Sequence, residues 1–175
     1  QMGMPVTVAI CDPGAGSSEI AAIASLFEEV NQRFSTYLET SEVSRLNAGE
    51  IERASVSSEL GHILNLCEQT RRETDGYFEI ERNGKIDPSG LVKGWAIQRA
   101  ADLLRNLGFS NFYVDAGGDI QTSGRNADDQ PWRVGIRNPF KREEQVKTLW
   151  LSGEAIATSG TAIRGPHIYD PFGHQ

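Results

Sequence analysis

Apolar and polar positions along the first 34 residues follow two different periods. From Met4 to Ile10 the apolar side chains fall on every second residue, which is typical of a strand with one buried face. From Glu19 to about Phe34 they recur every three or four residues, which predicts an amphipathic helix that Ser17 or Ser18 can cap. The apolar positions of this helix are Ile20, Ile23, Leu26, Phe27, Val30 and Phe34.

Three further helices are predicted by the same spacing and by cap residues. Ser41 begins a short helix from Glu42 to Asn47, and Ser57 or Ser58 caps a longer one that ends near Gly76. The clearest helix runs from Leu91 to Leu107, with Gly108 as its stop. In the helix capped by Ser57 or Ser58, the positions predicted to face inward are Leu60, Ile63, Leu64 and Cys67. In the helix from Leu91 to Leu107 they are Ala96, Ala100, Leu103, Leu104 and Leu107.

Short β-rich segments dominate the second half of the chain. An Asn83-Gly84 pair predicts a tight turn after an extended piece from Tyr77 to Ile80. Strands are predicted over Phe112 to Asp115, Ile120 to Ser123, Trp132 to Ile136, Val146 to Leu151 and Ala155 to Thr158. This order of elements predicts an α+β fold whose mixed, largely antiparallel sheet is flanked by helices.

Length and composition restrict the class of protein. A chain of 175 residues, 38% of them hydrophobic, is expected to form a single domain over residues 1–175. A net charge of −7 leaves no basic stripe for a nucleic-acid backbone, although a nucleotide needs only a local positive site. Cys11 and Cys67 lack a zinc-ligand spacing, and no apolar run reaches the roughly 18 residues of a membrane span. With no signal peptide visible we expect a cytoplasmic protein, or an extracytoplasmic one if a leader was removed.

The segment richest in candidate chemistry lies at a helix entrance, from Ile86 to Ala96. A helix start offers unpaired N–H groups and the positive end of a dipole, and Lys93 adds a cation, so the segment suits a phosphate or diphosphate. Asp87 can hold a sugar hydroxyl, a ring N–H or a metal-bound water. An Asp or Ser cap followed by a surface lysine explains the same residues equally well.

Two strand ends carry glycines and hydroxyls. Gly117 and Gly118 precede Asp119, where paired glycines allow either the close approach of a ligand or a tight bend. Thr158 and Ser159 end a later strand, where they suit phosphate or flavin-edge contacts or form a polar turn.

Two further segments hold a histidine and an aromatic candidate. His167 lies three residues before Asp170, which can orient it as a general base, although a lone histidine is often structural. Tyr37 can stack on a planar ligand, whereas helix capping and packing explain most of the polar residues around it.

Together these motifs resemble, in order along the chain, those of the FAD:protein FMN transferases, the ApbE family. Met4 stands where the family usually has Thr, and Glu79 stands where it usually has Asp. The matching segments are Met2 to Met4, Phe34 to Tyr37, Ser41 to Asn47, Thr74 to Glu79, Asp87 to Ala96, Ala116 to Ile120, Ala157 to Gly160 and His167 to Pro171. The short segment between Phe78 and Asp87 is similar to the compact form of the family.

The resemblance implies an ApbE-like fold and a Mg²⁺-dependent transfer of FMN from FAD to a Thr or Ser of an acceptor protein, with release of AMP. It also implies that His167 is the catalytic base and that the carbonyl of Gly90 is a Mg²⁺ ligand. The residues implied to bind FAD are Met2, Tyr37, Tyr77, Phe78, Glu79, Asp87, Lys93, Gly117, Gly118, Asp119, Thr158, Ser159 and Tyr169.

One departure from the family pattern bears on the metal. A later Asp and Thr complete the Mg²⁺ site in the family, and the sequence holds no such segment after Pro171. Either a C-terminal portion of the protein follows Gln175, which we expect, or this form has an impaired metal site. Two alternative activities use the same residues: an FAD diphosphatase that yields FMN and AMP, and a flavin-binding module without catalysis. A purely structural domain is the remaining alternative.

Overall fold

A computed structural model describes residues 4–141, 143–160, 168, 170, 172 and 173. The chain divides into two compact units, the first formed by residues 1–3, 25–96 and 169–175, and the second by residues 4–24 and 97–168. The helices are α1 (Ser17–Phe34), α2 (Glu42–Asn47), α3 (Ser58–Glu73) and α4 (Ser89–Asn106), with a 3₁₀ turn at Arg53–Ser55. The strands are β1 (Val6–Ile10), β2 (Glu81–Arg82), β3 (Lys85–Ile86), β4 (Phe112–Ala116), β5 (Asp119–Ser123), β6 (Trp132–Arg137), β7 (Gln145–Leu151) and β8 (Ala155–Ile156).

The predicted α+β fold is confirmed, and every strand pair in the described residues is antiparallel. A four-stranded sheet in the second unit has the order β1-β4-β5-β8, and β6 pairs with β7 in a separate hairpin. In the first unit β2 and β3 form a two-residue hairpin around Asn83 and Gly84, which both have positive φ, as a type I′ turn requires.

The first unit has a core built largely from α3 and the end of α1. Ser57 caps α3 by accepting the N–H of Leu60 at 3.2 Å, and the predicted inward residues Leu60, Ile63, Leu64 and Cys67 are all buried. Cys67 is 1% exposed, and this burial raises the pKa of its thiol to about 11. Phe34 meets Trp95 edge to face, with ring centroids 5.5 Å apart.

The second unit buries one face of its sheet and one face of the later part of α4. Phe112, Val114 and Ala116 alternate as the buried residues of β4, and Ala100 and Leu104 of α4 are fully buried as the spacing predicts. The same spacing is wrong for two other residues. Leu107 is 49% exposed because α4 already ends at Asn106, and Ile20 is 45% exposed near the start of α1.

No helix in the described ranges is both long enough and apolar enough to span a membrane. The single-domain organisation expected over residues 1–175 stays a prediction.

Candidate functional site

The entrance of α4 is capped by the aspartate that the sequence singles out. Asp87 accepts the N–H of Ser89 at 3.0 Å through Oδ1, and the Pro88 carbonyl accepts the N–H groups of Leu91 and Val92, each at 3.0 Å. Asp87 thus accepts the N–H group of the first residue of α4, and Pro88 fixes the backbone φ angle immediately before that residue, a combination that favours helix initiation. The capping explanation of Asp87 is therefore realised, and part of its carboxylate is engaged by the helix itself.

Backbone contacts fix the position of this entrance within the first unit. The Asp87 N–H donates to the Ile80 carbonyl at 2.7 Å. The side-chain amide of Asn47 bonds both backbone groups of Ile86, donating at 2.9 Å and accepting at 2.8 Å. Asn47 thus pairs with the end of β3 as a neighbouring strand would, an interaction between residues 39 positions apart.

Phe78 and Gly90 lie against each other. A methyl group added at Gly90 would come 3.3 Å from Cε2 of Phe78, so the ring packs on the first turn of α4 where a larger residue would crowd it. Lys93 is half-buried in the second turn of this helix. The predicted Phe78, Gly90 and Lys93 therefore belong to one local arrangement at the helix start.

Tyr77 and Glu79 flank Phe78. The Tyr77 ring is 61% exposed and meets Phe172 edge to face, with centroids 5.1 Å apart. Glu79 accepts the N–H of Glu81 at 2.9 Å and pairs with Arg71 at 2.8 Å. The Glu81 N–H, with a smaller contribution from Arg71 and against partial burial, lowers the pKa of Glu79, so this carboxylate is ionised at neutral pH. Glu79 and Arg71 also line a cavity of about 420 Å³ beside α3 and the β2–β3 hairpin.

Tyr37 lies in a turn that Ser35 stabilises, and its side chain is exposed to solvent. The Ser35 hydroxyl accepts the N–H groups of Tyr37 at 3.2 Å and Leu38 at 3.1 Å, and the Tyr37 side chain is 96% exposed. An aromatic ring with almost no protein contact contributes little to the core. Its exposed faces are available for stacking on a planar ligand.

The glycine pair in the second unit forms the turn between β4 and β5. Ala116 pairs with Asp119, and Gly117 and Gly118 have φ of 58° and 92°, the positive values of a two-residue type I′ turn. Asp115 closes this turn by accepting the Gly118 N–H at 2.8 Å. The tight-bend explanation of the glycines is therefore realised.

Two hydrogen bonds join this turn to the segment that follows β8. The Thr158 N–H donates to Oδ1 of Asp119 at 2.7 Å, and the Thr158 hydroxyl donates to the Gly118 carbonyl at 2.8 Å. Thr158 is thus brought into direct contact with two predicted residues that lie 39 and 40 positions earlier in the chain. Ser159 follows immediately and is exposed.

Comparison with known proteins identifies the family. The model of a family described as the ApbE family matches residues 2–82 and 79–171. The chain belongs to the ApbE family.

Individual relatives of this ApbE-family chain agree with that membership. A protein of Vibrio cholerae named FAD:protein FMN transferase is 28% identical over 222 residues, which cover 93% of this chain and 66% of that protein. A protein of Salmonella typhimurium with the same name is 34% identical over 95 residues, or 49% of this chain and 27% of that protein. The chain therefore spans less than two thirds of these relatives.

Solved structures show the same fold. The flavin transferase ApbE from Vibrio cholerae superposes with a TM-score of 0.83 at 25% identity, covering 97% of this chain and 74% of that one. The ApbE protein of Thermotoga maritima has a TM-score of 0.80 at 22% identity, with 91% and 68% of the two chains covered, and supports the fold alone.

The predicted site residues of this ApbE-family chain form two groups, one in each unit. The first group is Tyr37, Tyr77, Phe78, Glu79, Asp87, Gly90 and Lys93, and the second is Gly117, Gly118, Asp119, Thr158 and Ser159. Met2, His167 and Tyr169 lie outside the described residues. Sequence reasoning missed Asn47 as a partner of Ile86 and Asp115 as the acceptor that closes the glycine turn. A carboxylate three residues before a turn glycine was the available signal for Asp115.

The donor set can also be tested against the implied Mg²⁺ ion. No group of three or more His, Cys, Asp or Glu side chains could hold a metal ion in the part of the chain that the structure describes. Mg²⁺ commonly takes one or two protein oxygens and completes its shell with substrate phosphates and water. The described acidic, histidine and cysteine side chains therefore do not form an all-protein metal cage.

Proposed function

We propose that this chain transfers FMN from FAD to an acceptor protein. A hydroxyl oxygen of the acceptor attacks the phosphorus of the FMN half, the bond from that phosphorus to the bridging oxygen breaks, and AMP leaves with the electron pair. The observation that supports the proposal best is the alignment of 93% of this chain with a protein named FAD:protein FMN transferase. The motifs of both groups of predicted residues lie within the family match.

The first group of residues suits binding of the flavin nucleotide. The start of α4 places the positive end of the helix dipole beside this group, and the Lys93 ammonium adds a full charge to the same helix. Both features stabilise the negative charge of the diphosphate. They also stabilise the charge that develops on the phosphate of the departing AMP as the bond breaks. Tyr37, with its ring in solvent, is proposed to stack on a ring system of FAD.

The second group supplies exposed hydroxyl and backbone groups beside a rigid turn. Ser159 is proposed to donate to a phosphate oxygen of FAD.

His167 is proposed to take the proton from the acceptor hydroxyl, because an imidazole can accept a proton near neutral pH. General-base help of this kind is worth about 10² to 10⁴ in rate.

Two finer details belong to the same proposal. The acceptor residue is proposed to be Thr or Ser, because the product then keeps a stable phosphoester bond. Mg²⁺ is proposed to bind with the diphosphate, with the Gly90 carbonyl as a protein ligand. When bound, the ion neutralises charge on the phosphoryl oxygens.

The test is incubation of the purified chain with FAD, MgCl₂ and an acceptor protein that carries an accessible Thr or Ser. The expected result is AMP release together with a fluorescent flavin band on the acceptor after denaturing electrophoresis. EDTA should abolish both signals. Lys93→Ala should lower the rate at least about ten-fold, because a cation beside a diphosphate is lost, whereas Lys141→Ala is a matched control on an exposed loop.

Two outcomes would replace the proposal by another activity. AMP release with free FMN and an unlabelled acceptor would indicate the diphosphatase. Tight FAD binding that does not depend on Mg²⁺, without AMP release, would indicate a flavin-binding module.

A further inference from the structure

A chain of hydrogen bonds runs from β4 through the glycine turn to the segment after β8. Asp115 Oδ1 accepts the Gly118 N–H at 2.8 Å, the Gly118 carbonyl accepts the Thr158 hydroxyl at 2.8 Å, and the Thr158 N–H donates to Asp119 Oδ1 at 2.7 Å. Each bond is short and joins a backbone group to a side chain. These bonds hold the Gly117-Gly118 turn in one conformation, although two consecutive glycines are flexible by themselves.

The same bonds determine which polar atoms remain for a ligand. Both backbone groups of Gly118 and both donors of Thr158 are engaged inside the protein. Ser159, the next residue, is exposed, and its hydroxyl has no hydrogen-bond partner among the described residues. The exposed Ser159 hydroxyl is therefore left for a ligand, and it directly follows Thr158, which these bonds hold in place.

Asp115 is the residue from which this arrangement begins. It is half-buried in the middle of the sheet, where its backbone pairs with Thr7 on one side and Ile120 on the other. Its position is thus set by two neighbouring strands, and its carboxylate transmits that position to the turn. A loss of the Gly118 bond would free the turn and, through Thr158, Ser159.

We propose that Asp115 is a positioning residue of the flavin site, which acts on FAD through Gly118, Thr158 and Ser159 and does not touch the ligand itself. The inference rests on the proposed function, because it takes FAD as the ligand of Ser159. Its role is to accept a hydrogen bond, so the negative charge of Asp115 is not required. That distinction can be tested with a conservative variant.

The experiment compares Asp115→Ala with Asp115→Asn, and measures the Kd for FAD by flavin fluorescence on folded protein. The amide oxygen of Asn can still accept the Gly118 N–H, whereas Ala cannot. We expect Asp115→Ala to weaken FAD binding roughly ten-fold, since positioning groups commonly act at this level, and Asp115→Asn to stay within about two-fold of the native protein. Asp128→Ala, which removes an exposed carboxylate of the same unit, is the matched control.

A second measurement reports the turn without using FAD. Hydrogen exchange at the Thr158 amide should be protected in the native protein and in Asp115→Asn, and faster in Asp115→Ala, because the turn that holds Thr158 is then released. A variant that merely unfolds would lose protection throughout β4 and β5 as well.

Three results would overturn the inference. Asp115→Asn as weak as Asp115→Ala would show that the charge acts on the ligand. Native FAD affinity in folded Asp115→Ala would show a purely structural role. Unchanged exchange at Thr158 in that variant would show that Asp115 does not hold the turn. Failure of the native chain itself to bind FAD would instead contradict the proposed function, and the inference with it.

Discussion

At the scale of single residues, Asp12 is a carboxylate of the second unit that accepts three hydrogen bonds. It accepts the N–H groups of Ser110 at 2.9 Å and Asn111 at 2.7 Å, and the side-chain amide of Asn111 at 2.9 Å. Partial burial acts in the opposite direction, but the bonds from Asn111 and Ser110 prevail and lower the pKa of Asp12 below its ordinary value of 3.8. Asp12 thus ties the end of β1 to the start of β4.

We predict that Asp12→Ala lowers the free energy of unfolding by about 1–2 kcal/mol at pH 7, because two backbone donors lose their acceptor. Since the folded pKa is lowered, this contribution is complete above pH 3.8 and is lost as the pH falls from there through the folded pKa. Urea denaturation at pH 7 and at pH 3 checks the sign. A gap between native and variant protein that stays constant with pH would contradict the assignment.

Substitution of Tyr37 distinguishes an effect on FAD affinity from an effect on the free energy of unfolding. Because its side chain is 96% exposed, Tyr37→Ala should change the free energy of unfolding by less than about 0.5 kcal/mol. Loss of a stacked ring should nevertheless weaken FAD binding several-fold, as aromatic pairs are worth about 0.5–1.5 kcal/mol. Thermal unfolding and FAD titration measure the two effects. Tyr37→Phe keeps the ring and should bind as the native protein does, and equal affinity of the Ala variant would remove Tyr37 from the site.

At the scale of secondary-structure elements, the start of α4 combines a cap with a proposed ligand contact. We predict that Asp87→Ala destabilises the protein by about 1 kcal/mol, whereas Asp87→Asn and Asp87→Ser keep the native stability because both side chains can accept the Ser89 N–H. Thermal denaturation of the three variants checks the cap. Equal stability of all three would show that Asp87 has no capping role.

Local sequence determines the elements well where one side chain specifies an end. Glu42–Asn47 begins at Ser41 as predicted, since the Ser41 hydroxyl accepts the Ser44 N–H at 3.0 Å, and the Asn83-Gly84 turn follows from its two positive φ angles. Periodicity is less informative at a helix end: it indicates the side of the helix on which Leu107 lies, but α4 stops before that residue can be covered. The 3₁₀ turn at Arg53–Ser55 carries no cap bond and was not predicted.

At the scale of the whole molecule, the candidate site shows the limit of reasoning from sequence. The motifs identify the family, and the comparisons confirm it. The bonds of Thr158 to Gly118 and Asp119, and of Asn47 to Ile86, join residues 39 or 40 positions apart and depend on the register of strands and turns. No local pattern encodes that register. Contacts of this kind therefore required the structure.

Each unit also contains one free cysteine, and the two differ in exposure. Cys67 lies in the core of the first unit, whereas Cys11 is half-buried in the second. The raised pKa of Cys67 leaves almost no thiolate at pH 8, and an alkylating reagent reaches the sulfur only when α3 separates from its neighbours. In Cys11→Ser the rate of thiol modification should therefore be limited by opening of the first unit, and should rise with urea. Rapid labelling of folded Cys11→Ser without urea would contradict the burial of Cys67. The chain thus carries an intrinsic chemical reporter of the opening of one unit, with no added dye or engineered label.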